Sequence, residues 1–215
     1  MKNIKMENFF WAFLIVSVLA WLAILLCSGI ELKFSWEAFK ALPDVVSVDL
    51  VVWGLFVKWG WKLPMFQGWL VPFPVLEGTW HGTLKSTWIN PETSKPLGEI
   101  PMVLVIKQTF TTICCTIHTF TQESSSQSYA ASFLIDEESG TKQLVYVYTN
   151  RPKAGVRHRS PVHDGTALLR VIENPGKMLQ GEYWTNRQTT GDIELKFRCK
   201  ELLETFPEDM KPPTS

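Results

Sequence analysis

The chain has 215 residues, 46% hydrophobic and 13% aromatic, and its 21 basic residues balance 21 acidic ones. A net charge of zero removes the long-range field that draws proteins to polymeric nucleic acid, and the length fits one compact domain plus an extension. Four cysteines, Cys27, Cys114, Cys115 and Cys199, contain no C-x-x-C pair, so zinc-ribbon and dithiol-redox chemistry are not indicated and reduced, buried thiols are expected.

Phe9–Ile30 is a run of 22 residues without a charge. At ~1.5 Å per residue it reaches ~33 Å, enough for the hydrocarbon core of a bilayer. It is too long for the apolar region of a signal peptide, and a second apolar run follows it, so a retained transmembrane helix is predicted. Val45–Trp61 is 17 residues long and holds Asp49 and Lys58. Each charge lies about four residues from an end and can reach an interface by snorkelling, with water or a neighbouring helix as the alternative for Asp49 once helices cluster. The second span is placed at about residues 45–63, with a re-entrant or surface helix as the alternative. Ser47 and Gly54 recur one heptad apart, a seam where another helix can pack. Trp59, Trp61 and Trp69 form an aromatic belt at the exit. Lys2 and Lys5 precede the first span, Lys58 and Lys62 end the second, and Glu31–Asp44 between them carries three acids and two lysines. This predicts cytoplasmic termini and a short external hairpin. Residues 1–74 are thus read as a membrane anchor, 75–205 as a β domain and 206–215 as a flexible tail.

Pro64, Pro72 and Pro74 punctuate the exit from the membrane. Eight short strands follow, separated by turn residues: Gly78–Trp88, Glu99–Lys107, Thr112–Phe120, Ser128–Ile135, Lys142–Asn150, Thr166–Ile172, Met178–Thr185 and Asp192–Arg198. Alternation is clearest in the last, where Ile193, Leu195 and Phe197 interleave with charged residues. Hairpin links and regular spacing predict an all-β soluble domain, an eight-stranded up-and-down antiparallel barrel, with a sandwich as the alternative.

In a meander, alternate links share one end. The links Gln108–Thr111, Asp136–Thr141 and Asn174–Lys177 are short and fall where the first strand begins, near the membrane. The links Ile89–Gly98, Thr121–Gln127, Arg151–Gly165 and Asn186–Gly191 gather at the other mouth and are mostly longer, as functional loops tend to be. A barrel of this size holds packed side chains or part of one small ligand, so a ligand is placed at that distal mouth.

The segment from Asn150 to His163 carries Arg151, Lys153, Arg157, Arg159, His158 and His163 and no acid; Arg187 joins from another loop. Guanidinium groups donate paired hydrogen bonds to phosphate, and Tyr148, Tyr183 and Trp184 offer stacking surfaces for a base. A solvated basic loop with structural tyrosines explains the same residues. Nucleophile-elbow, H-E-x-x-H, P-loop and paired-cysteine zinc signatures are missing, so no catalytic residue, metal or cofactor is assigned and an enzyme is not expected.

The ordered features are two apolar helices, Gly78-Thr-Trp-His-Gly82, Tyr148-x-Asn150-x-Pro152, His163-x-Gly165-Thr166-Ala167 and the terminal run from Gly181-x-Tyr183-x-Thr185-x-Arg187-x-Thr189-x-Gly191 to Leu195. Together they resemble the two-transmembrane β-barrel effectors of bacterial CBASS anti-phage systems, which accompany a cGAS/DncV-like nucleotidyltransferase. The resemblance spans about Phe9 to Arg198. It implies a cyclic dinucleotide receptor at the bacterial inner membrane whose ligand drives homo-oligomerisation, after which clustered helices disrupt the lipid bilayer and kill the cell. Tyr148, Asn150, His163, Thr166, Tyr183, Thr185, Arg187 and Thr189 match its patterned positions, and Arg151 and Arg157 are added from the basic loop. Gly78, Gly82, Gly165, Gly181 and Gly191 match as well and are read as barrel bends. Trp80 is read as a core plug. A membrane-tethered, lipocalin-like barrel for a small apolar ligand is the competing reading.

Overall fold

A computed structural model describes residues 6–30, 35–90, 94–96 and 98–210. The chain divides into two compact units, one ending at Pro74 and the other beginning at Val75.

The first unit is helical. Helix α1 spans Met6–Cys27, a short α2 spans Trp36–Lys40, N-capped by the Ser35 hydroxyl on Ala38 N–H, and α3 spans Leu42–Lys58 with Pro43 in its first turn. Phe9 meets Trp53 and Phe56 edge-on at 5.9 and 6.0 Å, Ser17 bonds Asp49, and Trp21 Nε1 donates to the Ala38 carbonyl at 2.9 Å. These pairings run in opposite directions along α1 and α3, so the two form an antiparallel hairpin. Among the described residues, one helix, α1, is long and apolar enough to cross a membrane. Helix α3 ends at Lys58, short of the predicted residue 63, because Gly60–Lys62 tightens into a 3₁₀ turn. Of the two placements open to Asp49, an interface or a neighbour, the structure shows the neighbour. The residue is 6% exposed and turns inward against α1, where the Ser17 hydroxyl offers the hydrogen bond that a lipid interface would otherwise supply. Lys58 does sit at the helix end, its Nζ 4.3 Å from the centre of the Trp59 ring. Ser47 and Gly54 are exposed on the opposite face of α3, and a Cβ added at Gly54 would meet nothing within 4 Å. Lys2 and Lys5, and residues 31–34 of the inter-helix hairpin, lie outside the described residues.

The second unit is a closed barrel, β1 to β8 in sequence order, each strand antiparallel to its neighbours and β8 returning to β1. The strands are Gly78–Ser86, Glu99–Gln108, Ile113–Thr119, Ser124–Ile135, Lys142–Pro152, His163–Ile172, Met178–Thr185 and Thr190–Cys199. Closure leaves no free sheet edge, and the sandwich alternative falls. The largest boundary differences lie at the distal mouth, where β4 begins four residues early and β6 three. A bulge between Ser128 and Ala130 lets polar Ser124–Gln127 continue the ladder. Sharp coiling rests on glycine: a Cβ on Gly82 would lie 1.9 Å from the Glu194 carbonyl oxygen and one on Gly181 2.0 Å from that of Leu168.

The barrel interior has two zones. Where β1 begins, Trp80, Leu104, Ile106, Leu144, Leu169, Leu179 and Leu195 are at most 1% exposed and interlock at native density. Trp80 is the expected plug; it packs edge-on against Phe197 at 5.3 Å and donates Nε1–H to the Leu76 carbonyl. Strand β2 is buried on both faces, Met102 to Ile106 without a break. The segment after β8 folds back on the barrel: Thr79 Oγ1 donates to the Glu201 carbonyl and accepts from Leu203 N–H, and Phe206 packs against Phe120. Residue 206 is therefore not the start of a free tail, since Phe206 is 1% exposed and Arg198 binds Asp209 at 2.6 Å. Residues 211–215 lie outside the described residues, as do 91–93 and 97 of the first distal loop.

Candidate functional site

The second zone is the opposite mouth, and strand register decides what faces it. Tyr148 pairs with Gly165, which pairs with Thr185. Ala167 pairs with Tyr183, which pairs with Gly191, which pairs with Ser86. Asn150 pairs with Ser126 on one side and His163 on the other. Side chains directly opposite in a sheet share a face, so Tyr148, Asn150, His163, Tyr183 and Thr185 lie on the inner face at this end of the barrel.

Both tyrosines lie flat on glycines. A Cβ on Gly165 would stand 2.6 Å from Tyr148 Cζ, and one on Gly191 2.6 Å from Tyr183 Cε1. These glycines therefore make room for aromatic rings, beyond the bends expected of them. Tyr183 donates its hydroxyl to Ser86 Oγ at 2.6 Å. Asn150 Nδ2 donates to Ser126 at 2.9 Å and Ser124 at 3.2 Å, which fixes its amide. His163 Nδ1 lies 3.0 Å from the Pro161 carbonyl.

Arg187 comes from the β7–β8 turn. That turn is tight: Thr185 N–H donates to the Thr189 carbonyl at 2.9 Å, Gln188 N–H to that of Thr185, and the Thr185 and Thr189 hydroxyls meet at 2.6 Å. Gln188 holds φ at 61°, a left-handed conformation that costs a non-glycine residue ~1 kcal/mol or more. Arg187 Nη1 donates to Ser160 Oγ at 3.3 Å, tying the turn to the basic loop. Its Nε is buried and has no partner among the described residues, although a guanidinium offers five donors and a missing acceptor is costly.

The electrostatics identify Arg187 as the centre of the group. Burial lowers its pKa, while Tyr183 and Tyr148 oppose that change. Burial pushes the Tyr148 phenol up, its neighbour Tyr183 adds to this, and Arg187 pulls the other way. Tyr183 is also raised by burial, against its Ser86 bond and Arg187. His163 is lowered chiefly by burial, with Arg187 adding to the effect and the Pro161 and Asp164 contacts opposing it. One cation thus acts on three rings. One layer deeper, Tyr146 is 1% exposed, its ring centre 5.9 Å from that of Tyr148, and its hydroxyl has no partner among the described residues.

Several predicted residues are placed elsewhere. Thr166 pairs with Val147 and Trp184, one step out of phase with Gly165, and faces outward. Trp184 is 42% exposed on the same outer face. Arg151 pairs with Ser125 and is exposed on the outside. Arg157 is at the rim, its Nε donating to the Pro152 carbonyl at 3.0 Å. The basic loop is not free of acids in space: Arg159 forms an ion pair with Glu123 at 2.7 Å, and Lys153 N–H donates to the Glu123 carbonyl. Sequence reasoning missed Ser86, Ser124, Ser126, Ser160 and Tyr146. Period-two counting back from Tyr148 reaches Tyr146; the serines needed the register and the bulge.

A polar groove of about 630 Å³ also runs over the outer face of the barrel, lined by Glu99, Glu182, Asp192 and Glu194 against Lys85 and Arg170. Lys85 is committed to Glu99 at 2.8 Å. The excess of carboxylates repels a phosphate ligand, which the mouth, with no acid among its described inward positions, does not.

The family model described as "Cap15, cyclic dinucleotide receptor domain" matches residues 71–197, which is more than half of the chain and contains the whole mouth. A relative, "CD-NTase-associated protein 15" of Staphylococcus schleiferi, is 29% identical over 180 residues, covering 84% of this chain and 90% of its own length. With the closed eight-stranded barrel following an apolar N-terminal helix, these matches agree with the resemblance read from the sequence: the chain belongs to the Cap15 family of CBASS effectors, whose barrel is a cyclic dinucleotide receptor domain.

Proposed function

We propose that the mouth formed by Tyr148, Asn150, His163, Tyr183, Thr185, Arg187 and Thr189, with Arg157 at its rim, binds a cyclic dinucleotide, and that binding is sensing, not catalysis. The observation that carries this is Arg187: a half-buried guanidinium whose Nε is buried and open, electrostatically coupled to Tyr148 and Tyr183, suits a phosphodiester flanked by bases. Ser86, Ser124, Ser126 and Ser160 add neutral polar groups around it. The apolar-carrier alternative is disfavoured because the interior below Tyr146 is filled by the protein's own side chains.

In this reading α3 is the second membrane span. Its 17 residues cover ~26 Å, at the short end for spanning, and Lys58 and Lys62 mark the cytoplasmic end. The barrel then faces the bacterial cytoplasm. Ligand binding acts on the membrane only by favouring an assembled state over the monomer. Assembly raises the local concentration of hairpins, and their packing disrupts the inner membrane. Ser47 and Gly54 supply an outward-facing contact for that packing.

The test is a thermal-shift screen of the detergent-solubilised full chain against cyclic di-AMP, cyclic di-GMP, cyclic GMP–AMP and cyclic UMP–AMP. A ligand present at ~100 times its dissociation constant stabilises the folded barrel by ~2.7 kcal/mol. No shift with any of the four, nor with a wider set of base combinations and linkages, contradicts the reading. Dye uptake and cross-linking in cells making the active compound test the second half.

A further inference from the structure

At its middle, helix α1 makes a polar contact to α3. Ser17 lies 11 residues after Met6 and 10 before Cys27, so in a membrane-spanning α1 it sits near the bilayer midplane. Its Oγ stands 2.7 Å from Asp49 Oδ2 and 3.0 Å from the Phe13 carbonyl. A hydroxyl has one hydrogen to give, and here it faces two acceptors. Asp49 Oδ1 is a third acceptor, buried, with no partner among the described residues. The carboxyl is 6% exposed and its neighbours on α3, Val45, Val46, Val48 and Leu50, are apolar. Ionisable groups at such depth are costly and turn toward a partner or toward water.

We infer that Asp49 is the polar switch point of the membrane hairpin. Ser17 closes it in the resting state, and it becomes the group around which water enters when α1 and α3 separate. The resting pair is short of donors, so the closed hairpin holds together with an unmet polar demand at its centre. Once ligand-driven assembly pulls the helices apart, the carboxyl cannot face hydrocarbon and gathers water, which carries the leak across the midplane. This rests on the membrane-disruption reading above and adds to it the residue that makes the opened hairpin permeable.

The two partners therefore act in opposite directions. Ser17→Ala removes the closing donor and leaves Asp49 unsatisfied, so the full chain leaks without ligand. Ser17→Thr keeps the hydroxyl and behaves as the parent. Asp49→Leu removes the polar demand itself, so ligand-triggered leak falls by about tenfold or more while ligand affinity is unchanged. Asp49→Asn retains an acceptor and brings an amide N–H₂ donor, so it leaks more slowly than the parent. The experiment reconstitutes each full-length variant in carboxyfluorescein-loaded vesicles of phosphatidylethanolamine and phosphatidylglycerol and adds the four cyclic dinucleotides in turn, with calorimetry on the same preparations. If Ser17→Ala and Asp49→Leu change the leak in the same direction, the pair merely packs the hairpin and the inference is overturned. Parent-like leak from Asp49→Leu overturns it too. If the parent binds ligand but never leaks, the membrane-disruption reading fails and the inference falls with it.

Discussion

The two ends of the barrel interior are built from the same eight strands and differ in how their polar groups are satisfied. At the closed end Trp80 Nε1 meets the Leu76 carbonyl, Gln108 Oε1 accepts from Leu76 N–H, and Thr79 bridges to Glu201 and Leu203; the exception is His81 Nδ1 beside Trp80 in β1, buried without a partner among the described residues. At the mouth Arg187 Nε and the Tyr146 hydroxyl are buried without partners among the described residues, and Gln188 holds a left-handed backbone beside them. Buried polar groups are almost always hydrogen-bonded. In the proposed function the end that leaves donors open and stores strain receives the ligand, whereas the closed end holds the fold together.

That contrast separates stability from binding, and substitutions at the two ends should divide accordingly. The largest effect belongs to Trp80→Ala. Emptying a fully buried indole site costs ~3–5 kcal/mol of folding stability, read by denaturant unfolding followed by circular dichroism, while affinity measured under folding conditions changes little. Arg187→Ala should do the reverse. Loss of a charge-assisted contact weakens cyclic dinucleotide binding by ~1.5–3 kcal/mol, with unfolding midpoints equal to or slightly above the parent because an unsatisfied buried donor is removed. Arg187→Lys should rescue only part of the affinity, since a point charge lacks the planar fork. A Trp80 variant that loses affinity while remaining folded, or an Arg187 variant that is mainly unstable, breaks the division.

The pH dependence is smaller. His81, His118 and His163 all have pKa values lowered from the ordinary histidine range, each chiefly by burial. Near pH 6 the unfolded chain therefore binds more protons than the folded one, so stability rises with pH there and is lost as pH falls below ~6.5. The melting temperature of the ligand-free protein should drop across that window, and His163→Gln should flatten the slope. A melting temperature that rises on acidification contradicts the burial of these imidazoles. The smallest effect is Gln188→Gly. Relief of the left-handed strain offset by glycine's extra chain entropy nets ~0.5–1 kcal/mol of stability, and a looser turn costs Arg187 some of its affinity.

Most of the barrel was legible in the sequence because turn residues and β-branched runs report locally on strands. Met178–Thr185 was placed to the residue. The errors fall where a long-range contact overrides local pattern. Ser124–Gln127 reads as loop by composition and becomes strand because β5 extends to Pro152 and pairs with it. Thr166 was assigned to the mouth from its place in the family pattern and Arg151 from the basic loop. A one-residue step along a strand reverses the face, so neither reaches it. Glu123 could not be matched to Arg159 from sequence, since 36 residues separate them. For Asp49 the sequence left an interface, water or a neighbour open, and only the α1–α3 pairing revealed Ser17.

The central claim is that Arg187 anchors a cyclic dinucleotide in the mouth. It is tested most directly by calorimetric titration of the full chain and its Arg187→Ala variant with the cyclic dinucleotide that stabilises the parent most. The account predicts saturable binding by the parent and ~10- to 150-fold weaker binding by the variant, with matched unfolding midpoints. Equal affinities for the two proteins would contradict it.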